Sequence, residues 1–236
     1  MNYDAPDERW PAALKSSFES YVRDGGGLVT VHASDNALAG WPAFNEMIGI
    51  GGWRNRTEKS GPLWYFKDGK LVSDETPGRA GNHGNRVPFA ITVQDANHPI
   101  TKGLPRVWMH QGDELYNSLR GPGENMTVLA TAYSDPANHG SGRDEPMLLT
   151  LSFGKGRVFH TVLGHDINAL SCVGGAAALA PDALLPPELP LPQAASNRAE
   201  AVTLPATIPL RMMFPPLGHP RAGHTGRARR PCRRPK

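Results

Sequence analysis

The chain is short of cysteine, of long apolar runs and, over its last quarter, of aromatic residues, and each shortage excludes something. Two cysteines in 236 residues, Cys172 and Cys232, cannot build a disulfide framework, so a reducing, cytoplasmic setting is the default. No run of about 18 apolar residues offers a membrane span. No N-terminal stretch joins a basic segment to an apolar core and a small-residue cleavage site, so no secretory signal is visible. Phosphate loops ending in Lys-Ser/Thr, G-x-S-x-G elbows and zinc-type cysteine pairs are also missing. Gly49-Ile50-Gly51-Gly52 does not follow a strand and open a helix with the glycine spacing of a dinucleotide loop. Cys172 has no activating partner near it in sequence, so nucleophilic cysteine chemistry is not expected.

The net charge of +3 is the sum of two unlike parts. Residues 175–236 carry nine Lys/Arg against three Asp/Glu, whereas residues 1–174 carry sixteen against nineteen. The high isoelectric point therefore belongs to the tail and gives no reason to expect nucleic acid or membrane partners for the body. The tail holds 12 of the 23 prolines and a single aromatic, Phe214. Such a composition cannot bury enough apolar surface to offset chain entropy, and residues 175–236 are expected to be a disordered Pro/Ala/Arg-rich tail. Its basic end, Arg227 to Lys236, reads as a solvated charge run, with phosphate binding or targeting as the alternative. The abrupt change after Cys172-Val173-Gly174 suggests an out-of-frame ending.

The body is patterned from its start. Trp10-Pro11 opens a helix, because proline is favoured in the first helical turn. Leu14, Phe18, Tyr21 and Val22 then share one face, and Gly25-Gly26-Gly27 ends the helix. Leu28 to His32 follows as a strand that is apolar nearly throughout, as in a parallel strand covered on both faces. This is half of an α/β unit whose other half would precede residue 1, so the front reads as clipped. Pro42 to Ile48 suits a short helix presenting Phe44, Met47 and Ile48. Leu63 to Phe66 and Lys70 to Val72 form a hairpin about Asp68-Gly69. Phe89 to Val93 and Thr127 to Tyr133 are strands, and Met147 to Phe153 with Arg157 to Leu163 make a second hairpin about Gly154-Lys155-Gly156. An α/β fold with a mostly parallel sheet and antiparallel hairpin additions is expected.

Three clusters could carry chemistry. His32 stands where a buried strand empties into a loop, the place where ligands gather in open α/β sheets, and Ala33-Ser34-Asp35-Asn36 follows it. A lone histidine there is as readily a satisfied structural group. His110-Gln-Gly-Asp113-Glu114-Leu-Tyr116 offers acid, base and metal-ligand groups, although helix N-terminal charge would explain the carboxylates equally well. Asp113 and Glu114 point in different directions in any regular structure, so one of them is expected to face a site. Leu163-Gly164-His165-Asp166 repeats the strand-then-histidine arrangement. His83, on the Gly81 to Gly84 loop, could close over a ligand, while His98 and His139 look like surface turn residues and His160 carries no specific expectation. Trp41, Trp53, Trp64 and Tyr65 suit a carbohydrate pocket, whose ligands present C–H faces to aromatic planes, but core packing is the commoner use of such residues.

Taken together, Gly25 to Ala33, Gly51-Gly52-Trp53, His98 to Pro105, Asp113 to Tyr116 and Gly154 to His165 resemble the ThuA-like (trehalose utilisation) family over about Asn2 to Val173. The resemblance implies a class I glutamine amidotransferase-like fold, a flavodoxin-like three-layer sandwich, and a role in disaccharide or 3-keto-sugar metabolism. Its recurrent positions fall on His32, Glu114, Tyr116 and His165, with Asp113 beside them. Where amidotransferases carry a nucleophilic cysteine, this chain has His32-Ala33-Ser34, so glutaminase activity is not implied. Family members also usually begin with a further strand–helix–strand and continue with ordered chain beyond the equivalent of Val173.

The leading expectation is an enzyme acting on a sugar or keto-sugar, with His32, Glu114 and His165 as acid/base groups or as ligands of a divalent metal such as zinc. Asn36, Trp41, Trp53, His83, His110, Asp113 and Tyr116 are the candidate substrate contacts. The alternatives are a carbohydrate-binding module that catalyses nothing and a truncated relic. The expected partner is a small carbohydrate, with homo-oligomerisation left open.

Overall fold

The computed structural model describes residues 1–4 and 7–165. Asp166, Cys172 and the expected tail after residue 174 lie outside the described residues. Helix α1 (Ala12–Arg23) starts after Pro11, which serves as its N-cap. It stops at Gly25, whose φ of 121° is open to glycine. There Gly25 N–H donates to the Val22 carbonyl and Gly26 N–H to that of Tyr21, the paired bonds of a Schellman cap. Of the expected apolar stripe, Val22 is buried and Phe18 half-buried, while Leu14 and Tyr21 are exposed. Helix α2 (Pro42–Ile48) has proline in its first turn and Gly49 at its end, and buries Phe44, Met47 and Ile48.

Ten strands follow the chain: β1 (Gly27–Val31), β2 (Leu63–Lys67), β3 (Lys70–Asp74), β4 (Asn82–His83), β5 (Val87–Val93), β6 (Val107–Asp113), β7 (Tyr116–Asn117), β8 (Met126–Tyr133), β9 (Asp144–Phe153) and β10 (Gly156–Thr161). The main sheet is ordered β1-β10-β9-β8-β5-β6, and the β2–β3 hairpin joins it where Phe66 faces Asp144 on β9. Strands β4 and β7 form a separate small ladder. Asp68 and Gly69 turn the first hairpin with φ of 52° and 72°, the positive pair that fits strand twist.

The fold is mixed α/β, as expected, but the mostly parallel sheet is corrected. Among the described residues only β1 and β10 pair parallel; β10–β9, β9–β8, β8–β5 and β5–β6 are antiparallel. The expectation rested on continuous apolar runs, and these report burial on both faces rather than strand direction. Strand β9 makes the point: nearly all of it is buried, although both of its long neighbours run against it. The main core joins Met47 and Ile50 to Leu28, Ile91, Leu129 and Leu149 of the sheet. A second cluster packs Trp41, Phe44, Leu38 and Ile48 against Trp10 and Phe18. No helix among the described residues is long and apolar enough to cross a membrane.

One buried pair ties the end of β1 to its parallel partner. His160 on β10 and Asp35, in the 3-10 turn His32–Asp35, are both fully buried, with Nε2 2.6 Å from Oδ1. The other ring nitrogen lies 2.7 Å from the Ile48 carbonyl. Burial alone would lower the His160 pKa, but the Asp35 carboxylate and the Ile48 carbonyl outweigh it and raise the value. Nδ1 is hydrogen-bonded to the Ile48 carbonyl, and the carboxylate beside Nε2 favours the charged ring. The native state therefore keeps a proton that the unfolded chain releases near pH 6.5, so this contribution is complete below that pH and is lost as pH rises through the folded value. The unfolding free energy should therefore fall as pH rises above 6.5. Urea titrations of the wild type and His160→Gln across that range check it, the variant losing this slope.

Candidate active site

Strand β1 ends at Val31, and His32 begins the 3-10 turn with a φ of 35°. A non-glycine residue at positive φ is strained, and such strain collects where a side chain must be aimed. The ring is buried, and its Nδ1 lies 2.7 Å from the Val162 carbonyl. A carbonyl can only accept, so Nδ1 carries the proton and the Nε2 lone pair is directed away from it. Burial lowers the His32 pKa against the Val162 bond and the nearby Asp35 and Asp113 charges, which favours the neutral ring.

That lone pair meets the other two candidates. His32 Nε2 is 3.2 Å from His165 Nδ1 and 3.9 Å from Glu114 Oε2, and His165 Nδ1 is 2.9 Å from Glu114 Oε2. Among the described residues these three side chains form the one group of histidines and carboxylates arranged to hold a metal ion. A triangle with those sides has a common point about 2 Å from each corner, the length of a zinc bond to nitrogen or oxygen. His32 also has the outer support usual for a metal ligand, its second nitrogen bonded to a backbone carbonyl. The donor set therefore fits a divalent ion of the zinc type.

Asp113 and Glu114 face different ways, as adjacent residues at a strand end must. Asp113 ends β6 fully buried and takes hydrogen bonds from the N–H groups of Gly164, His165 and Glu114, and one from His110 at 3.0 Å. Burial would raise its pKa, but these four donors prevail and lower it to about 2. Asp113 thus fixes the loop that carries His165, and His110 reaches the triad only through it. The strand position of His110–Asp113 replaces the helix N-terminus that the sequence also allowed.

Aromatic rings close one side. Tyr116 lies with its centroid 3.9 Å from that of His32, Trp53 stands 4.5 Å from Tyr116, and exposed His83 is 6.2 Å from Tyr116. His83 belongs to β4, held beside Tyr116 by the β4–β7 ladder. Burial pushes the Tyr116 phenol up, with the Asp35 and Glu114 charges adding and a hydrogen bond from Asn36 opposing. The Asn36 Oδ1 is buried without a hydrogen-bond partner. Trp41 is elsewhere, stacked on Phe44 in the second core cluster. His98 and His139 sit in turns, His139 in the left-handed conformation. The sequence reading missed the Asp35–His160 pair; its trace was the alternation Gly156, Val158, His160 on the buried side of β10.

Replacing Asp113 by Asn removes the charge and one acceptor from a group serving four donors. This should cost about 1–3 kcal/mol of stability and loosen His165. Urea unfolding measures the first, and the His165 imidazole resonances, broadened or shifted, report the second. In the wild type the Asp113 contribution is complete above about pH 4 and is lost as pH falls toward 2.

Comparisons with known proteins give the family. The family model for ThuA, trehalose utilisation, matches residues 2–172. A ThuA-like protein from Parabacteroides merdae is 48% identical over 70% of this chain and 58% of its own, with a TM-score of 0.65. A second, from Bacteroides uniformis, is 22% identical over 75% of this chain and 62% of its own, with a TM-score of 0.48. The chain thus spans 58% and 62% of the lengths of these two structures. No curated protein matches it. The strand-end histidines, the Asp-Glu-x-Tyr segment and a family match over residues 2–172 lead to one conclusion: the chain belongs to the ThuA, or trehalose utilisation, family.

Proposed function

We propose that the protein converts a sugar or keto-sugar by acid/base chemistry at His32, Glu114 and His165, and that these three hold a divalent metal such as zinc. The observation that carries the reading is the triangle of 2.9, 3.2 and 3.9 Å between their ligand atoms, closed on a buried imidazole whose other nitrogen is already committed. The family description, trehalose utilisation, supports a carbohydrate as the substrate class.

When bound, such an ion supplies Lewis acidity toward a carbonyl or hydroxyl oxygen. The chain's own groups supply the rest. Glu114 would give Oε2 to the ion, which leaves the second oxygen of this partly open carboxylate to take a proton from the carbon beside a ketone and return it to oxygen. His165 Nδ1, 2.9 Å from Oε2, would share the ion and so hold the carboxylate in place. His32 is neutral by burial and offers a lone pair rather than a charge. Tyr116 keeps its proton and can donate to a substrate hydroxyl, while the unpartnered Oδ1 of Asn36 can accept from one. Trp53, half-buried, offers an indole for the C–H face of a pyranose, with buried Tyr116 packed behind it. His83 borders the same rings from the exposed side. Asp113 and His110 act by position, since the Asp113 oxygens are spent on the loop at His165. A cysteine nucleophile is not available at the elbow, which keeps glutaminase chemistry out of the reading.

Metal-stripped protein titrated with zinc should take up one equivalent, and His32→Ala should weaken that uptake by about 100-fold or more. Glu114→Gln should lower turnover of a responsive substrate, sought among hexoses, disaccharides and 3-keto-sugars, by about 10²–10⁴-fold. Equal zinc uptake by the wild type and His32→Ala, with no sugar transformed, would overturn the reading.

A further inference from the structure

A cleft of about 510 Å³ opens beside the triad's aromatic wall, lined by Trp53, Arg54, Arg56, Arg79 and Gly81 among others, and by no Asp or Glu. Its three guanidinium groups differ in what they have already bound. Arg56 is buried and gives all its N–H groups to the carbonyls of Asp35, Gly52 and Ala37 and to Asn45 Oδ1. It stiffens the wall and lends the cleft only its charge. Arg54 is paired with Asp4 at 2.6 Å. Arg79 is exposed, and its guanidinium has no ion pair or hydrogen bond among the described residues.

The backbone around these groups is set firmly. Trp53, Arg54 and Asn55 take φ of 54°, 46° and 65°, three successive left-handed residues without a glycine. Three hydrogen bonds hold them: Arg56 N–H to the Trp53 carbonyl at 2.8 Å, Trp53 N–H to that of Ala80 at 3.0 Å, and Ala80 N–H to that of Arg56 at 3.0 Å. Gly81 lies so close to Trp53 that a Cβ there would stand 2.7 Å from the indole ring. The strained turn is thus held in place by neighbours in the Arg79 to Gly81 segment.

We propose that this cleft receives an anionic substituent, a phosphate or a carboxylate, carried by the sugar whose ring lies along Trp53 toward His32. The inference rests on the carbohydrate reading above, because Trp53 belongs to both places: it lines the cleft, and its ring is 4.5 Å from Tyr116, itself 3.9 Å from His32. A neutral sugar needs hydroxyl partners of mixed kind, whereas this lining gathers three guanidinium groups and no carboxylate, Arg54 being paired with Asp4 behind it. Arginine forks match the paired oxygens of both anions, and their charge-assisted bonds are the strong ones. The free fork of Arg79 is the group that would meet the anion, with Arg54 turning from Asp4 to join it.

The test is calorimetric titration of the full chain with glucose, glucose 6-phosphate, glucuronate and inorganic phosphate at low salt. At least one anionic sugar should bind about tenfold or more tighter than glucose, with the advantage shrinking as salt is raised. Arg79→Gln should erase that advantage while leaving the melting temperature and glucose binding unchanged, and Arg79→Lys should restore part of it. Preference for the phosphate or for the glucuronate identifies the anion. Equal binding of glucose and both anionic sugars, or a preference that survives Arg79→Gln, overturns the proposal. If no sugar binds but inorganic phosphate binds the wild type and not Arg79→Gln, the anion cleft stands and the carbohydrate reading fails. If glucose binds in a His32-dependent way and the anions gain nothing, the reverse holds.

Discussion

The site depends on one parallel pairing. Strand β1 lies beside β10 with Val31 opposite Thr161, so both strands deliver their last residues to the same end of the sheet. His32 and the Val162 carbonyl become neighbours at 2.7 Å because of that register, and His165 arrives three residues later. In an antiparallel pair the two ends would lie at opposite edges of the sheet. The buried Asp35–His160 contact joins the 3-10 turn that follows β1 to strand β10. A buried ion pair is weak evidence of net stability, but removing one partner leaves the other charge stranded, which makes the pair a strong constraint on geometry.

Electrostatics within the site divides its labour. The two fully buried carboxylates, Asp35 and Asp113, are occupied by an imidazole and by backbone N–H groups. Glu114, the partly open one, touches both triad histidines. Adjacent residues therefore do opposite work: Asp113 fixes a loop, and Glu114 is left for chemistry. The neutral His32 between them adds no charge that would have to be compensated on burial.

Much of this was legible in the chain. The bounds of α2 follow from Pro42 and Gly49, and both hairpins from Asp68-Gly69 and Gly154-Lys155, because glycine and proline restrict the backbone locally. The strand-end positions of His32 and His165 were visible for the same reason, as apolar runs that stop at a histidine. Strand direction was not, since β9 is apolar on both faces in an antiparallel setting. Nor could sequence place Trp41 in the core and Trp53 by the triad; that depends on whether a ring meets Phe44 or Tyr116 across folded distances. His160 was silent because its partner, Asp35, lies far away in the chain and the contact exists only once β1 and β10 pair.

Strands β1 and β6 stand at opposite ends of the sheet order, yet His32 follows the first and Glu114 the second. They meet only because the sheet curls, and the register shifts between Val87 and Phe89, Val128 and Ala130, and Ala130 and Thr131 lie in the strands that must bend. Curvature is thus a component of the triad in the same sense as its imidazoles: a flatter sheet with every side chain unchanged would carry the carboxylate away from both rings.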